Sequence, residues 1–281
     1  MRCAYGSDVL YQNLALDSLS GWKAWNEELA DESTHIPLGM THEDTLYINN
    51  GFISVADGSE LPEFERLSLK GITEAGYGDS QFVTNQPIDV ARAKKAGFGH
   101  AINPFYRREK SYTALVDGIG GFVYADKACR FALHKAQTLG VRCVFGKEGT
   151  FESFFYASDD ENQSKVVGVK TVDGVEHASG LVIVASGGWT PTIVPEMDAL
   201  CETTGGSVYF YQIPKTSPLW ARFSAKNFPT YSVGMRTGAG GGVYGFPRDE
   251  NGILKIGYRG TKYDLSHHKA ILRAQFADVM D

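Results

Sequence analysis

A chain of 281 residues is long enough for one large domain or two smaller ones, each with its own core. Hydrophobic residues make up 43% and charged residues 21%, and 27 basic against 33 acidic side chains give a net charge of −6. No basic block is present, which argues against a nucleic-acid partner, and no apolar run approaches the ~20 residues of a membrane span. The opening MRCAYGSDVLYQNL lacks the charged-then-apolar order of a secretory signal.

In chain order, SDVLYQNLALDSLSGWKAWNEEL (7–29) predicts an amphipathic helix. Ser7 or Asp8 is its cap, and Leu10, Leu14, Trp22, Trp25 and Leu29 are its apolar residues. Residues 30–118 interleave strands and helices: a turn in ISVADGSE, a helix in ELPEFERLSLKGITEAG with Gly76 near its stop, and a short helix in IDVARAKKAG ending at Gly97. YADKACRFALHKAQTLG (124–140) predicts another helix, stopped by Gly140, with VRCVFG as a following strand. FESFFYA and KVVGVKTVDGVEHAS predict further strands, the latter folded at Val172-Asp173-Gly174-Val175. Leu181–Ala185 is apolar without alternation, as in a parallel strand buried on both faces, and Ser186-Gly187-Gly188-Trp189 marks its carboxyl end. From 201 the pattern returns to β, and KAILRAQFADVM predicts a last helix.

Cys3, Cys129, Cys143 and Cys201 are far apart, so reduced thiols in an intracellular compartment fit better than a disulfide framework. The adjacent His267 and His268 do not share a helix face, and no metal site is expected. Gly240, Gly242 and Gly245 form a literal G-x-G-x-x-G, but a strand and turn follow where a dinucleotide site needs a helix N-terminus. After the 181–185 strand, SGGW suits either a flat cofactor lying against backbone or a tryptophan at a strand exit.

GGVYGFPRDENGILKIGYRG (241–260) predicts a β-hairpin. Its second strand puts Leu254, Ile256 and Tyr258 on one face and Lys255, Gly257 and Arg259 on the other. A lysine on a strand is ordinarily a solvated charge. Here Gly257 beside it is expected to leave room for a ligand, Tyr244 can offer a hydroxyl to the same space, and an ammonium near a redox cofactor would stabilise developing negative charge.

GIGGFVYADKA, LVIVASGGWTPTIVPEMDALCETTGGSVYFYQIP and YGFPRDENGILKIGYRG together resemble flavin-dependent amine oxidases of the D-amino-acid-oxidase-like superfamily. The nearest likeness is to the monomeric sarcosine oxidase branch, with its fungal fructosyl-amino-acid oxidases and saccharopine or pipecolate oxidases. The resemblance implies FAD as cofactor, an amine or N-substituted amino acid as substrate, and O2 as electron acceptor. It implies an α/β (α+β mixed) fold: an incomplete Rossmann-like FAD-binding sheet (1–29 and 119–200), an interleaved mixed β-sheet substrate domain (30–118 and 201–265), and the start of a C-terminal helix (266–281). Residue by residue, it implies flavin contacts at Phe151, Ser186, Gly187, Gly188 and Trp189, oxygen activation at Lys255, and substrate contacts at Tyr244 and Arg259. Members of the family carry, before and after the segment matched here, a glycine-rich ADP-binding unit and a tail with further flavin and substrate contacts. Three expectations follow: an oxidase in shortened form, cytoplasmic or peroxisomal; a remnant that holds no FAD alone; or a subunit completed by a partner chain. A flavin-free binding module is a fourth.

Overall fold

A computed structural model describes residues 1–105, 112–157, 165–201, 204–235, 241–260 and 263–264. The predicted C-terminal helix and the His267–His268 pair lie outside the described residues. In chain order the elements are α1 (Val9–Ala30), β1 (Tyr47–Ile48), β2 (Phe52–Asp57), α2 (Glu63–Ile72), β3 (Gln81–Val83), α3 (Pro87–Lys95), α4 (Gly99–Ile102) and β4 (Tyr112–Asp117). Then come β5 (Phe122–Val123), α5 (Ala125–Thr138), β6 (Phe151–Tyr156), β7 (Val166–Thr171), β8 (Glu176–Ala178), α6 (Thr190–Ile193) and β9 (Thr204–Gly205). The last are β10 (Val208–Gln212), α7 (Leu219–Arg222), β11 (Thr230–Val233), β12 (Gly242–Gly245), β13 (Ile253–Arg259) and β14 (Tyr263–Asp264). By packing, the chain divides into two units, residues 1–134 with 206–262, and residues 135–205 with 263–281.

The first unit is built on a seven-stranded mixed sheet in the order β10-β13-β12-β11-β2-β4-β3. Its β11–β2 pair is parallel and the other pairs are antiparallel. Alternation decides which face is which. Ile53, Val55, Ala114, Val116, Phe82 and Tyr231 fall on one face, where Ala93 of α3, Ala101 of α4 and Phe228 close the core over them. The opposite, polar face is mixed: it carries Ser54, Ser232, Tyr244, Lys255, Gln81 and Asp117, interspersed with Leu115, Val83 and Phe210.

Part of that polar face is covered by α2 and the N-terminal stretch. The cover is specific because it is hydrogen-bonded: Asp117, 3% exposed, accepts from Cys3 N at 2.8 Å, Gln81 Nε2 at 2.9 Å and Ile119 N at 3.2 Å. Burial raises the Asp117 pKa and outweighs these donors and the nearby N-terminal amine, which lower it. The Met1 amine and Gly121 are neighbours in the same corner, where a side chain at Gly121 would run into the Ile48 carbonyl. Only glycine fits there. Residues 118–122, GIGGF, are thus explained by close backbone approach.

The helix α1 forms as expected, with Asp8 as its cap accepting from Tyr11 N at 3.1 Å. Its buried stripe differs from the expected one, however. Gln12, Ala15, Leu19 and Leu29 are buried, while Leu10 and Leu14 are 77% and 58% exposed. Gly76, Gly97 and Gly140 all adopt positive φ near the ends predicted for their helices. At Gly76 the helical path kinks, and a π turn, Thr73–Tyr77, replaces a clean stop. A partly buried ion pair fixes α5: Lys127 Nζ lies 2.6 Å from Asp44 Oδ1 and 3.1 Å from Glu250 Oε2.

The second unit contains the antiparallel sheet β6-β7-β8, with its hairpin turn at 172–175 as the sequence predicts. Two expected strands are absent. Residues 141–145 are irregular, with Val141 and Phe145 54% and 63% exposed. Residues 181–185 are irregular too, and Leu181 and Ile183 are 74% and 79% exposed. The cause is the same in both: a strand exists only where neighbours take up its N–H and C=O groups, and among the described residues none pairs with either run. All four cysteines are free thiols, Cys3 being buried, and burial raises its pKa to about 12.

Candidate functional site

The hairpin β12–β13 sets the site. Asp249 turns the chain by accepting from Asn251 N at 3.0 Å and Ile253 N at 2.7 Å, and Gly252 takes φ 86°, so the strands come into register with Tyr244 opposite Gly257. Across the sheet the registers line up Gly257, Tyr244, Ser232, Ser54 and Leu115 in one row of the polar face. Lys255 stands one position along, with Phe210 of β10 as its partner on one side. Phe246 flanks it on the other through its backbone bond to the Lys255 carbonyl.

The Lys255 ammonium is 6.0 Å from the centroid of Phe210 and 6.0 Å from that of Phe246. Ring quadrupoles favour a cation at this range, and among the described residues no carboxylate neutralises it. Half-buried between two rings and with its charge unmatched, it is not the solvated surface lysine of the ordinary case. Sequence reading missed both phenylalanines, although their i, i+2 spacing from Val208 and Tyr244 marks them as residents of this face.

The gap expected over Gly257 is closed. A Cβ at Gly257 would collide with Tyr244 Cζ, so the tyrosine ring itself lies over the glycine. Glycine here seats an aromatic ring across the strand pair rather than leaving a vacancy for a ligand. Tyr244 also meets Phe246 edge to face, at 6.0 Å and 88°. Arg259 is exposed at the far end of β13, opposite Gly242.

Further along the same row, Ser54 Oγ donates to Glu65 Oε1 at 2.8 Å. Glu65 is 5% exposed, and its Oε2 accepts no hydrogen bond among the described residues. It faces a small cavity, about 20 Å³, shared with Arg2, Phe52 and Phe64. Sequence reading missed Glu65 as well. The signal was available: Glu65, Ser68 and Ile72 fall at the intervals of one helix face, so a carboxylate sits in a buried stripe.

The remaining candidates belong to the second unit. Phe151 opens β6 opposite Thr171 and meets Phe154 edge to face at 4.9 Å. Ser186 precedes a tight 3-10 turn, Gly187–Trp189, that leads into α6, with Gly187 at φ 56° and Ser186 Oγ 3.2 Å from Thr190 Oγ1. Trp189 is 50% exposed. Lys255, Tyr244 and Arg259 thus share one sheet, while Phe151 and Ser186–Trp189 share the other unit. Gly242 and Gly245 of the literal glycine motif lie within β12 and open no helix, as their sequence context implied.

One face of the seven-stranded sheet thus carries the Lys255 ammonium between two aromatic rings, with no carboxylate partner among the described residues. The chain belongs to the FAD dependent oxidoreductase (DAO) family, whose model matches residues 3–280. Among solved structures it is similar to the modified fructosyl peptide oxidase of Aspergillus nidulans in complex with FSA, at 24% identity and a TM-score of 0.66, covering 92% of this chain and 52% of that one. It is similar also to the fructosyl peptide oxidase of E. terrenum, at 21% identity and TM-score 0.61, covering 91% of this chain and 56% of that one. L-proline dehydrogenase of P. horikoshii matches at 16% identity and TM-score 0.61, covering 93% and 58%. At these identities the likeness is one of fold, and the chain spans about half the length of the structures it matches. No curated protein matches it.

Proposed function

We propose that this chain is the sheet-bearing part of an FAD-dependent oxidoreductase that oxidises the C–N bond of an N-substituted amino acid, with O2 as acceptor and hydrogen peroxide as product. One observation carries the reading: the Lys255 ammonium, held between Phe210 and Phe246 with no carboxylate partner among the described residues, on the face that also presents Tyr244. A cation so placed stabilises negative charge as it develops, at no cost of reorganisation. The neighbouring structures support the substrate class, since several are named as fructosyl peptide or fructosamine oxidases.

The residues on this face fit the isoalloxazine end of FAD: flat apolar rings beside a cation. The adenine end is different. Among the described residues no glycine-rich turn joins a strand to a helix N-terminus, so none offers the pyrophosphate its usual cradle. When bound, FAD would supply the two-electron acceptor. Lys255 would hold positive charge towards oxygen, Tyr244 and Arg259 would orient the substrate, and Phe151 with Ser186–Trp189 would line the flavin. In this proposal residues 1–29 and 119–200 serve the cofactor and 30–118 and 201–265 the substrate.

Mixing the flavin-supplemented chain anaerobically with fructosyl-glycine, pipecolate and saccharopine tests the reaction class. Bleaching of the flavin by at least one is the expected result; no bleaching by any, with flavin demonstrably bound, removes the amine-oxidase assignment.

One observation favours a second reading, in which a partner chain completes the site. The run Leu181–Ala185 has a buried strand's composition, yet Leu181, Ile183 and Ala185 are exposed and Val182 and Val184 only half-buried. Ile183→Ser is then expected to change the stability of the isolated chain by less than about 0.5 kcal/mol. A loss of about 2 kcal/mol or more would mean the run is already packed and needs no partner.

A further inference from the structure

One cavity bounded by described residues lies away from the Lys255 face. It holds about 630 Å³ and lies among α3, α4, α7 and the segment leading into β11, in the layer that covers the apolar face of the sheet.

Among the described residues its lining is basic: Lys94 of α3 and Arg222 of α7 reach it beside the His100 ring of α4, and no aspartate or glutamate does, in a chain whose net charge is −6. Lys94 is exposed and has no ion-pair partner among the described residues. Arg222 is oriented through Nη2, which donates to the Pro104 carbonyl at 3.4 Å, and through packing 5.2 Å from the Phe223 ring. Asn103 Oδ1 accepts from Tyr112 Oη at 2.8 Å, which fixes the side-chain amide and leaves its Nδ2 as a donor. Val90 and Phe228 supply apolar surface between these polar groups. Converging donors and cations around an apolar floor, in a volume within the usual ~300–1,000 Å³ of ligand sites, describe a receptor for an anion with a hydrophobic body.

We infer that this cavity binds a small organic oxyanion, its carboxylate or phosphate meeting Lys94 and Arg222 and its apolar body resting on Phe228. The site is separate from the proposed redox site, because Lys255 and Tyr244 project from the opposite face of the sheet, and it stands whether or not flavin binds.

Calorimetric titration of the full chain at constant ionic strength with phenyl phosphate, benzoate and benzyl alcohol tests the inference. Saturable one-to-one binding of either anion, with benzyl alcohol at least about tenfold weaker, is expected. Binding of phenyl phosphate alone, or of benzoate alone, identifies the head group. Lys94→Glu, at an exposed position that leaves the fold intact, is expected to weaken binding about tenfold, and Arg222→Gln by a similar factor. Thermal unfolding of each variant separates lost binding from lost structure. Failure of both anions to bind, equal binding of benzyl alcohol, or an affinity indifferent to Lys94→Glu overturns the inference.

Discussion

Asp117→Ala is expected to destabilise the first unit by about 3–5 kcal/mol, read as a lower midpoint of denaturant unfolding at unchanged slope. The side chain gathers Cys3 N, Gln81 Nε2 and Ile119 N from three separate segments. Removing it strands buried donors, each costing about 1–3 kcal/mol when left unmade. The penalty should also depend on pH in a definite sense. Burial raises the Asp117 pKa in the folded chain. Its contribution to stability is therefore full below the ordinary aspartate value of about 3.9 and is lost as pH rises through the folded value. The difference between wild type and Asp117→Ala should accordingly shrink from acid towards neutral pH. A difference that grew with pH would show that the three N–H donors outweigh burial.

Lys255→Met is expected to slow reoxidation of the flavin-loaded chain by O2 about 100-fold or more, while changing the rate of flavin reduction by substrate less than about threefold. The asymmetry follows from where charge develops. Electron transfer to oxygen creates an anion, and the ammonium between Phe210 and Phe246, which has no carboxylate partner among the described residues, is the charge proposed to meet it. Methionine preserves most of the length and apolar contact of the lysine stem and removes only the charge. Stopped-flow measurement of the two half-reactions separates the steps. Equal slowing of both, or of neither, would assign Lys255 to binding or to the sheet alone.

Much of the fold was legible because it is local. Asp8 at the head of α1, the positive-φ glycines near the helix ends and the polar turn between β12 and β13 all act within a few residues. The shared face of Lys255 and Tyr244 was half legible: alternation gives the face of each strand, but only the register shows that Tyr244 lies over Gly257. That register turned an expected ligand gap into an aromatic seat. The run 181–185 failed for a different reason. Five apolar residues state a demand for burial without naming what meets it, and among the described residues nothing does. Glu65 was overlooked because a glutamate in the first turn of a helix is ordinarily exposed. The Ser54 hydroxyl that holds it arrives from a strand, through tertiary structure. Family resemblance supplied what local physics could not, the identity of the cofactor, and the match over residues 3–280 supports it at the level of the family.

The central claim is that the polar sheet face around Lys255 receives an isoalloxazine ring. Titrating the full chain with FMN and with FAD, following quenching of flavin fluorescence, tests it most directly. Saturable binding of both, with affinities within about threefold of each other and both lowered by Lys255→Glu, is the result predicted for a face that holds the ring and leaves the adenine end unclaimed. Absence of saturable binding by either flavin, or binding that ignores the charge at Lys255, would contradict it.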